Sequence, residues 1–396
     1  MKQRILICFL LIISVSTCID PYYLELEDYE SHLVVEGMIT DELASYTVKL
    51  SRTFRDVNTS PVMVSQAQVR VHDENGVIAI LHEHEPGIYK SDSTQFIGRV
   101  GGTYSLQIST EDGLEYLSDR CTMTAVPPID SIYYELDSEF YDDGKVEEVG
   151  LRIFLDAENR DEACQYLRWE FEEVWKFRIP YPVFYQDLGY MEYKTAPVEN
   201  DICWRYERSK QILIHSSEEQ SSERISRKPI HFIDSGRSSR LLKQYSILVR
   251  QYSLSQEEFS FWKNLKEVTE SGGDIFEKEP FPIEGNISCI NNEHERVLGY
   301  FQVSAVKNQR MYITQSQVNA LDIPVYEYPC ERIIYRTRQL RESIYNDLLS
   351  HGYVLFWVEE SEFPGPPISF QFTNAECADC SLTGNPERPD FWVDME

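Results

Sequence analysis

Basic side chains are scarce in this chain. Only 37 Lys and Arg stand against 66 Asp and Glu in 396 residues, a formal net charge of −29. So acidic a surface repels phosphate backbones, which argues against nucleic-acid binding. Long apolar runs are missing as well, apart from one near the N-terminus; no other approaches the roughly 20 residues that span a bilayer. Catalytic signatures are also absent: there is no G-x-S-x-G elbow, no H-E-x-x-H, no Walker loop and no dinucleotide fingerprint. No residue is therefore nominated as catalytic, and no cofactor is called for. Carboxylate pairs for glycoside hydrolysis are trivial to propose among 66 acidic residues, and only their separation would give them meaning. What is present is ordinary for a globular chain, with a hydrophobic fraction of 42% and a charged fraction of 26%.

The N-terminal run carries the most specific address. Lys2 and Arg4 precede an apolar stretch from Ile5 to Val15, and small Ser16 and Thr17 lead into Cys18. A basic flank, a short greasy core and a small-residue cleavage site make a secretory signal over residues 1–17. A cysteine at the cut position resembles a bacterial lipobox, although Val15 and Thr17 stand where Leu and Gly or Ala are usual. Cys18 is thus the expected lipidation site, holding the chain to a membrane that it does not cross. Residues 18–31 are acidic and aperiodic and read as a tether. Ile19 is not the aspartate that retains lipoproteins in an inner membrane, so the outer membrane is the expected address.

Residues 32–126 read as β throughout. Leu33–Ile39 and Tyr46–Ser51 have strand length, and Gln68–Leu81 reads as a hairpin turned at Asn75-Gly76 in type I′ geometry. Thr103–Ser109 and Leu114–Ser118 form a second hairpin. About seven short strands with regular turns suggest an immunoglobulin-like β-sandwich. Pro127-Pro128 marks the expected boundary, and residues 129–396 read as a larger β-rich domain with a few helices. Its strands are expected at Val149–Leu155, Tyr166–Arg178, Gln211–His215, Ile230–Asp234, Tyr245–Tyr252 and Val297–Arg310. The segment Tyr166–Arg178 alternates aromatic and charged residues, a strand with one buried face. Ser255-Gln-Glu-Glu258 is a capping box that opens a helix over 255–271, and a second helix is expected over 339–350. Residues 180–200 and 216–229 read as exposed loops. The fold class is mainly β.

Nine cysteines, with Cys8 lost in the signal and Cys18 acylated, leave an odd seven. Cys377-x-x-Cys380 has the spacing of half a zinc site or of a redox pair. Zinc lacks a second ligand pair nearby, and a redox pair should open a helix in a βαβ unit. Disulfide bonding is preferred, within the pair or to Cys330 or Cys203. His82-Glu-His84 places two imidazoles on one face of a strand and reads as an exposed hairpin edge. Asp142-Asp143-Gly144 resembles a calcium loop in composition alone. No metal site is nominated. Aromatic residues are abundant, with 25 Tyr, 19 Phe and 6 Trp. The stretch holding Tyr181, Phe184, Tyr185, Tyr190 and Tyr193 is the candidate partner face, because such rings bury an apolar body and keep a polar tip.

Taken in order, several motifs resemble a family of outer-membrane lipoproteins from Bacteroidetes catalogued as a domain of unknown function. They are Leu33–Asp41, Tyr46–Ser51, Ile129–Tyr133, Trp169 with Glu173–Trp175, and Cys203-Trp204. Val249–Tyr252 before the capped helix with Trp262, Gly285-Asn286-Ile287 and Gly299–Phe301 follow. Cys377–Cys380 and Arg388–Trp392 complete the series, so the likeness runs nearly from end to end. Ser381–Gly384 departs from it, where a basic residue and paired glycines are common. The family's genes commonly sit beside those of TonB-dependent outer-membrane receptors. The resemblance therefore implies an accessory lipoprotein of such a transporter, partnered by it and by the membrane, that binds or admits a nutrient ligand without catalysis. A surface hydrolase of glycans or peptides, and a structural or adhesive lipoprotein, are the alternatives.

Overall fold

The computed structural model describes residues 31–53, 61–94, 96–141, 146–158, 164–217, 224–270 and 283–395. The signal, Cys18, nearly all of the tether, Asp142–Gly144 and the glycines ending the long helix lie outside them. The chain is mainly β, as its patterning requires.

Nine strands come first: β1 (Leu33–Ile39), β2 (Thr47–Arg52), β3 (Val62–Met63), β4 (Gln68–Asp73), β5 (Gly76–Glu85), β6 (Ile88–Lys90), β7 (Thr103–Ser109), β8 (Glu115–Ser118) and β9 (Cys121–Thr122). Alternate residues such as Leu33, Val35, Val69, Val71, Leu106 and Ile108 fill one core. The Asn75-Gly76 turn is not type I′. Only Gly76 is left-handed, at φ 127°, and the Asp73 carboxylate accepts from the amides of Asn75 at 2.6 Å and Gly76 at 3.1 Å. A side chain two residues back supplies what a primed turn would otherwise supply.

Residues 32–126 do not complete their own sheet. The order is β19-β8-β7-β4-β5-β6-β2-β1-β20, where β19 (Ile287–Cys289) and β20 (Val297–Val303) return from far along the chain. β20 runs parallel to β1, with Val35 opposite Gly299. Gly299 sits at φ 90°, and a Cβ there would lie 2.0 Å from the Val35 carbonyl oxygen, so only glycine fits. The two ends of the sheet meet at Asn286, whose amide accepts from Phe301 N at 2.8 Å and donates to Phe301 O at 2.9 Å. One side chain here takes the place of a strand rung. An eleven-stranded curled sheet stands where an immunoglobulin-like sandwich was expected, and that finer description is not established by it.

The middle of the chain builds two sheets over a second core. One is β10 (Ile129–Tyr141), β11 (Val146–Glu158) and β17 (Arg224–Asp234). The other runs β15 (Ile202–Arg208), β12 (Tyr166–Arg178), β18 (Gln244–Leu254), β21 (Val306–Thr314), with β16 (Leu213–Ser216) also on β12. Residues 224–229 thus belong to a strand rather than to an exposed loop. The expected strand Val297–Arg310 breaks at Ser304-Ala305, and its halves serve different sheets. One face of β12, from Leu167 to Phe177 in alternate residues, is wholly buried as the alternation suggests, while Glu170, Glu172 and Lys176 on the other stay partly open. Two charges depart from that pattern, Glu173 on the buried face and Arg168 at the start of the other.

The C-terminal part is a small sheet, β22 (Arg332–Arg336), β24 (Ser369–Asn374) and β23 (Tyr353–Glu359). Three α-helices are described: α1 (Gln256–Glu270), α2 (Gln315–Asn319) and α3 (Glu342–Ser350). The hairpin of β13 (Tyr185–Gly189) and β14 (Glu192–Thr195) occupies the stretch expected to be a loop.

Candidate functional site

The site begins with a helix cap. Ser255 Oγ accepts from Glu258 N at 3.2 Å, and Glu258 accepts in return from Ser255 N at 2.9 Å. The carboxylate's other oxygen accepts from Val303 N at 2.9 Å, on β20. One residue thereby caps α1 and pins it to the strand that closes the first sheet. Glu258 is buried, and that burial lifts its carboxyl to about 7 against the pull of those amides and of Arg168.

Pinned there, α1 walls a cavity of about 660 Å³ against β1, β20 and the start of β12. That volume is ordinary for a small-molecule site. Val34, Met38, Phe261, Trp262, Leu265, Leu298 and Tyr300 give it a largely apolar lining. Phe261 packs on Tyr300 with centroids 4.9 Å apart. Arg168 stands among them, 5% exposed. Its guanidinium lies 4.2 Å from the Trp262 ring centre and 4.9 Å from that of Tyr252. It donates to Gln302 Oε1 at 3.2 Å and pairs with Glu170. Desolvated contacts of this kind contribute about 2 kcal/mol each, which is how a lone arginine is tolerated in an apolar wall.

Satisfaction around this cavity is incomplete. Arg168 Nε, Trp262 Nε1 and His32 Nδ1 are enclosed without a hydrogen-bond partner, and all three residues line it. At the rim Arg296 is exposed and makes no ion pair among the described residues, whereas Glu36 is 3.5 Å from Lys49. Burial raises the carboxyl of Glu258 toward neutrality, but both its oxygens are engaged by backbone amides, which leaves it no part as an acid toward a ligand.

The family model described as a domain of unknown function, DUF4249, matches residues 19–310. The chain belongs to that family. The match takes in β1, β12, α1 and β20, and hence every wall of the cavity, and it stops before the C-terminal sheet. The motifs Cys377–Cys380 and Arg388–Trp392 lie beyond the DUF4249 match. A comparison with curated proteins finds no match.

Within the DUF4249 region, several motif residues have plain structural work. Trp169 donates to Gln251 Oε1 at 2.8 Å, and Gln251 donates to Pro127 O at 2.8 Å. Gly285 and Asn286 lock β19 to β20, since a Cβ at Gly285 would lie 1.8 Å from Gly299 O.

The sequence-nominated residues fall elsewhere. Cys203 pairs with Cys380 and Cys330 with Cys377, so the C-x-x-C cysteines bind distant partners rather than each other. Cys121, Cys164 and Cys289 stand outside these two disulfides. Burial pushes Cys121 to about 12 and Cys164 to about 11, leaving both protonated and unreactive at neutral pH. Tyr181, Phe184, Tyr185, Tyr190 and Tyr193 do come together, around the C-terminal sheet. Tyr181 meets Phe356 at 5.0 Å, Phe184 meets Trp357 at 5.1 Å and Tyr193 meets Phe370 at 5.8 Å. Tyr190 donates to Leu340 O at 2.9 Å. Phe184 alone of the five is exposed. His82 and His84 are exposed on β5, and no cluster of three metal-ligating side chains occurs among the described residues.

Sequence reasoning nominated the α1 cap and Trp262 without seeing the cavity. The signal that could have raised it was Arg168, a charge inside an otherwise aromatic strand.

Proposed function

We propose that this protein is a lipid-anchored outer-membrane accessory protein of a TonB-dependent transporter, binding a nutrient ligand without transforming it. The observation that supports binding is the cavity between α1 and the β1–β20 edge: apolar, of ligand size, and with the exposed Arg296 among its lining residues. The address rests on the signal and Cys18, and the partner on the resemblance to lipoproteins whose genes neighbour such receptors. Trp262 and Arg168 hold the wall in place, so a ligand would meet a preformed surface and lose little free energy in ordering it.

Gentle detergent extraction from the native membrane, followed by affinity capture and mass spectrometry, tests the partner. Recovery of one outer-membrane receptor in near-equal amount is the expected result. Recovery of the protein by itself, or of a Cys18→Ser form that still fractionates with membranes, overturns the reading.

A further inference from the structure

We infer that the cavity takes an amphipathic organic anion, with its apolar body among the rings and its anionic head at Arg296. This deepens the reading of the cavity as a binding site and rests on it.

The charges around the cavity decide the head group. Arg168 is matched by Glu170, and Glu36 by Lys49, which leaves Arg296 as the lining cation with no ion pair among the described residues. Arg296 stands beside an apolar opening, so its charge faces the same space as the rings. Its neighbour Glu295 is already engaged with Arg52 at 3.1 Å. A guanidinium offers paired donors in a plane, the geometry that suits a carboxylate.

The lining adds little competing hydrogen-bond capacity: Arg168 Nε and Trp262 Nε1 are enclosed by the protein itself and offer an occupant no open donor. The body of the ligand follows from the lining. Leu298, Leu265, Val34, Met38 and the Phe261–Trp262 pair offer dispersion contacts and few hydrogen bonds. A sugar would find too few polar partners there. An acyl or aromatic carboxylate fits both ends.

The test uses the full-length chain carrying Cys18→Ser, so that no acyl group of its own competes, titrated by calorimetry with decanoate and with decan-1-ol. Decanoate should bind at least ten times more tightly than the alcohol. Arg296→Gln should bring decanoate down to the level of the alcohol, and Arg296→Lys should keep part of the preference. Leu265→Glu, on an already half-exposed helix position, should weaken both ligands. Equal binding of decanoate and decan-1-ol, a preference that survives Arg296→Gln, or binding of neither overturns the inference. A protein that captures its receptor yet fails this titration loses only the ligand class, so the two readings fail separately.

Discussion

Two glutamates in this molecule are equally enclosed, each 2% exposed, and their carboxyls are driven in opposite directions. Glu173, in the middle sheets, accepts from Arg240 at 2.7 and 3.0 Å and from Tyr245 OH at 2.9 Å, with His231 Nε2 3.3 Å away. Burial pushes its carboxyl up, but hydrogen bonds and charge from His231 and Arg240 outweigh this and bring it to about 2. Glu258, beside the cavity, has backbone amides on both oxygens, and burial wins at about 7. Amides orient a carboxylate without neutralising it; a cation in contact does both. One region is therefore a closed clamp. The other is a joint whose charge is only half compensated, and it is the joint that holds the wall of the binding cavity.

The largest effect should come from breaking the clamp. Glu173→Ala removes the carboxylate and leaves Arg240 stacked 4.4 Å from the Trp175 ring centre with one acidic partner fewer. Removing one member of a buried pair typically costs about 3–5 kcal/mol. Urea unfolding should show a loss of that size; a loss under about 1 kcal/mol would mean that the network is a surface pair in disguise.

The next effect is one of pH, and its sign separates the two sites. For Glu173 the folded carboxyl is lowered, so its contribution is present above its unfolded value of 4.5 and is lost as pH falls toward 2. For Glu258 the folded carboxyl is raised. Its contribution is complete below 4.5 and is lost as pH rises through about 7, because the folded state must then hold a buried charge. Across pH 5 to 8 this group should remove roughly 3 kcal/mol from the wild-type stability. Glu258→Gln should flatten that slope while lowering stability at pH 5, where its amide can accept only one of the two backbone N–H groups. Parallel slopes for variant and wild type would show that Glu258 is already ionised in comfort.

The two regions also differ in how much of them could be read beforehand. The capping box was legible because Ser255 and Glu258 are three residues apart, and the code for a helix start is local. The third bond of Glu258, to Val303, was not, since nothing near residue 258 specifies which strand will lie beside it. The same holds for β1 and β20, whose parallel register joins residues 264 positions apart. Glu173 and Arg168 misled for another reason. Alternation in Tyr166–Arg178 reads as one wet face, and Glu170, Glu172 and Lys176 do stay partly open, but Glu173 sits on the buried face and Arg168 is covered by Trp262 of α1, neither of which alternation can show. The aromatic hairpin around Tyr185 and Tyr193 was picked out by composition, which cannot say that its rings would meet the chain's own Trp357 and Phe370.

The smallest of these effects separates cap from joint. Ser255→Ala deletes the hydroxyl that accepts from Glu258 N, yet leaves Glu258 bonded to Ser255 N and Val303 N. Loss of a helix cap costs about 1 kcal/mol, and none of it should depend on pH, since a neutral hydroxyl is removed. Chemical denaturation at pH 5 and pH 8 measures both parts. If Ser255→Ala matches Glu258→Gln at both values, the cap is what holds α1 over the cavity. If it stays near 1 kcal/mol while Glu258→Gln changes with pH, the bond to β20 holds it, and the wall of the cavity depends on a strand that arrives from far along the chain.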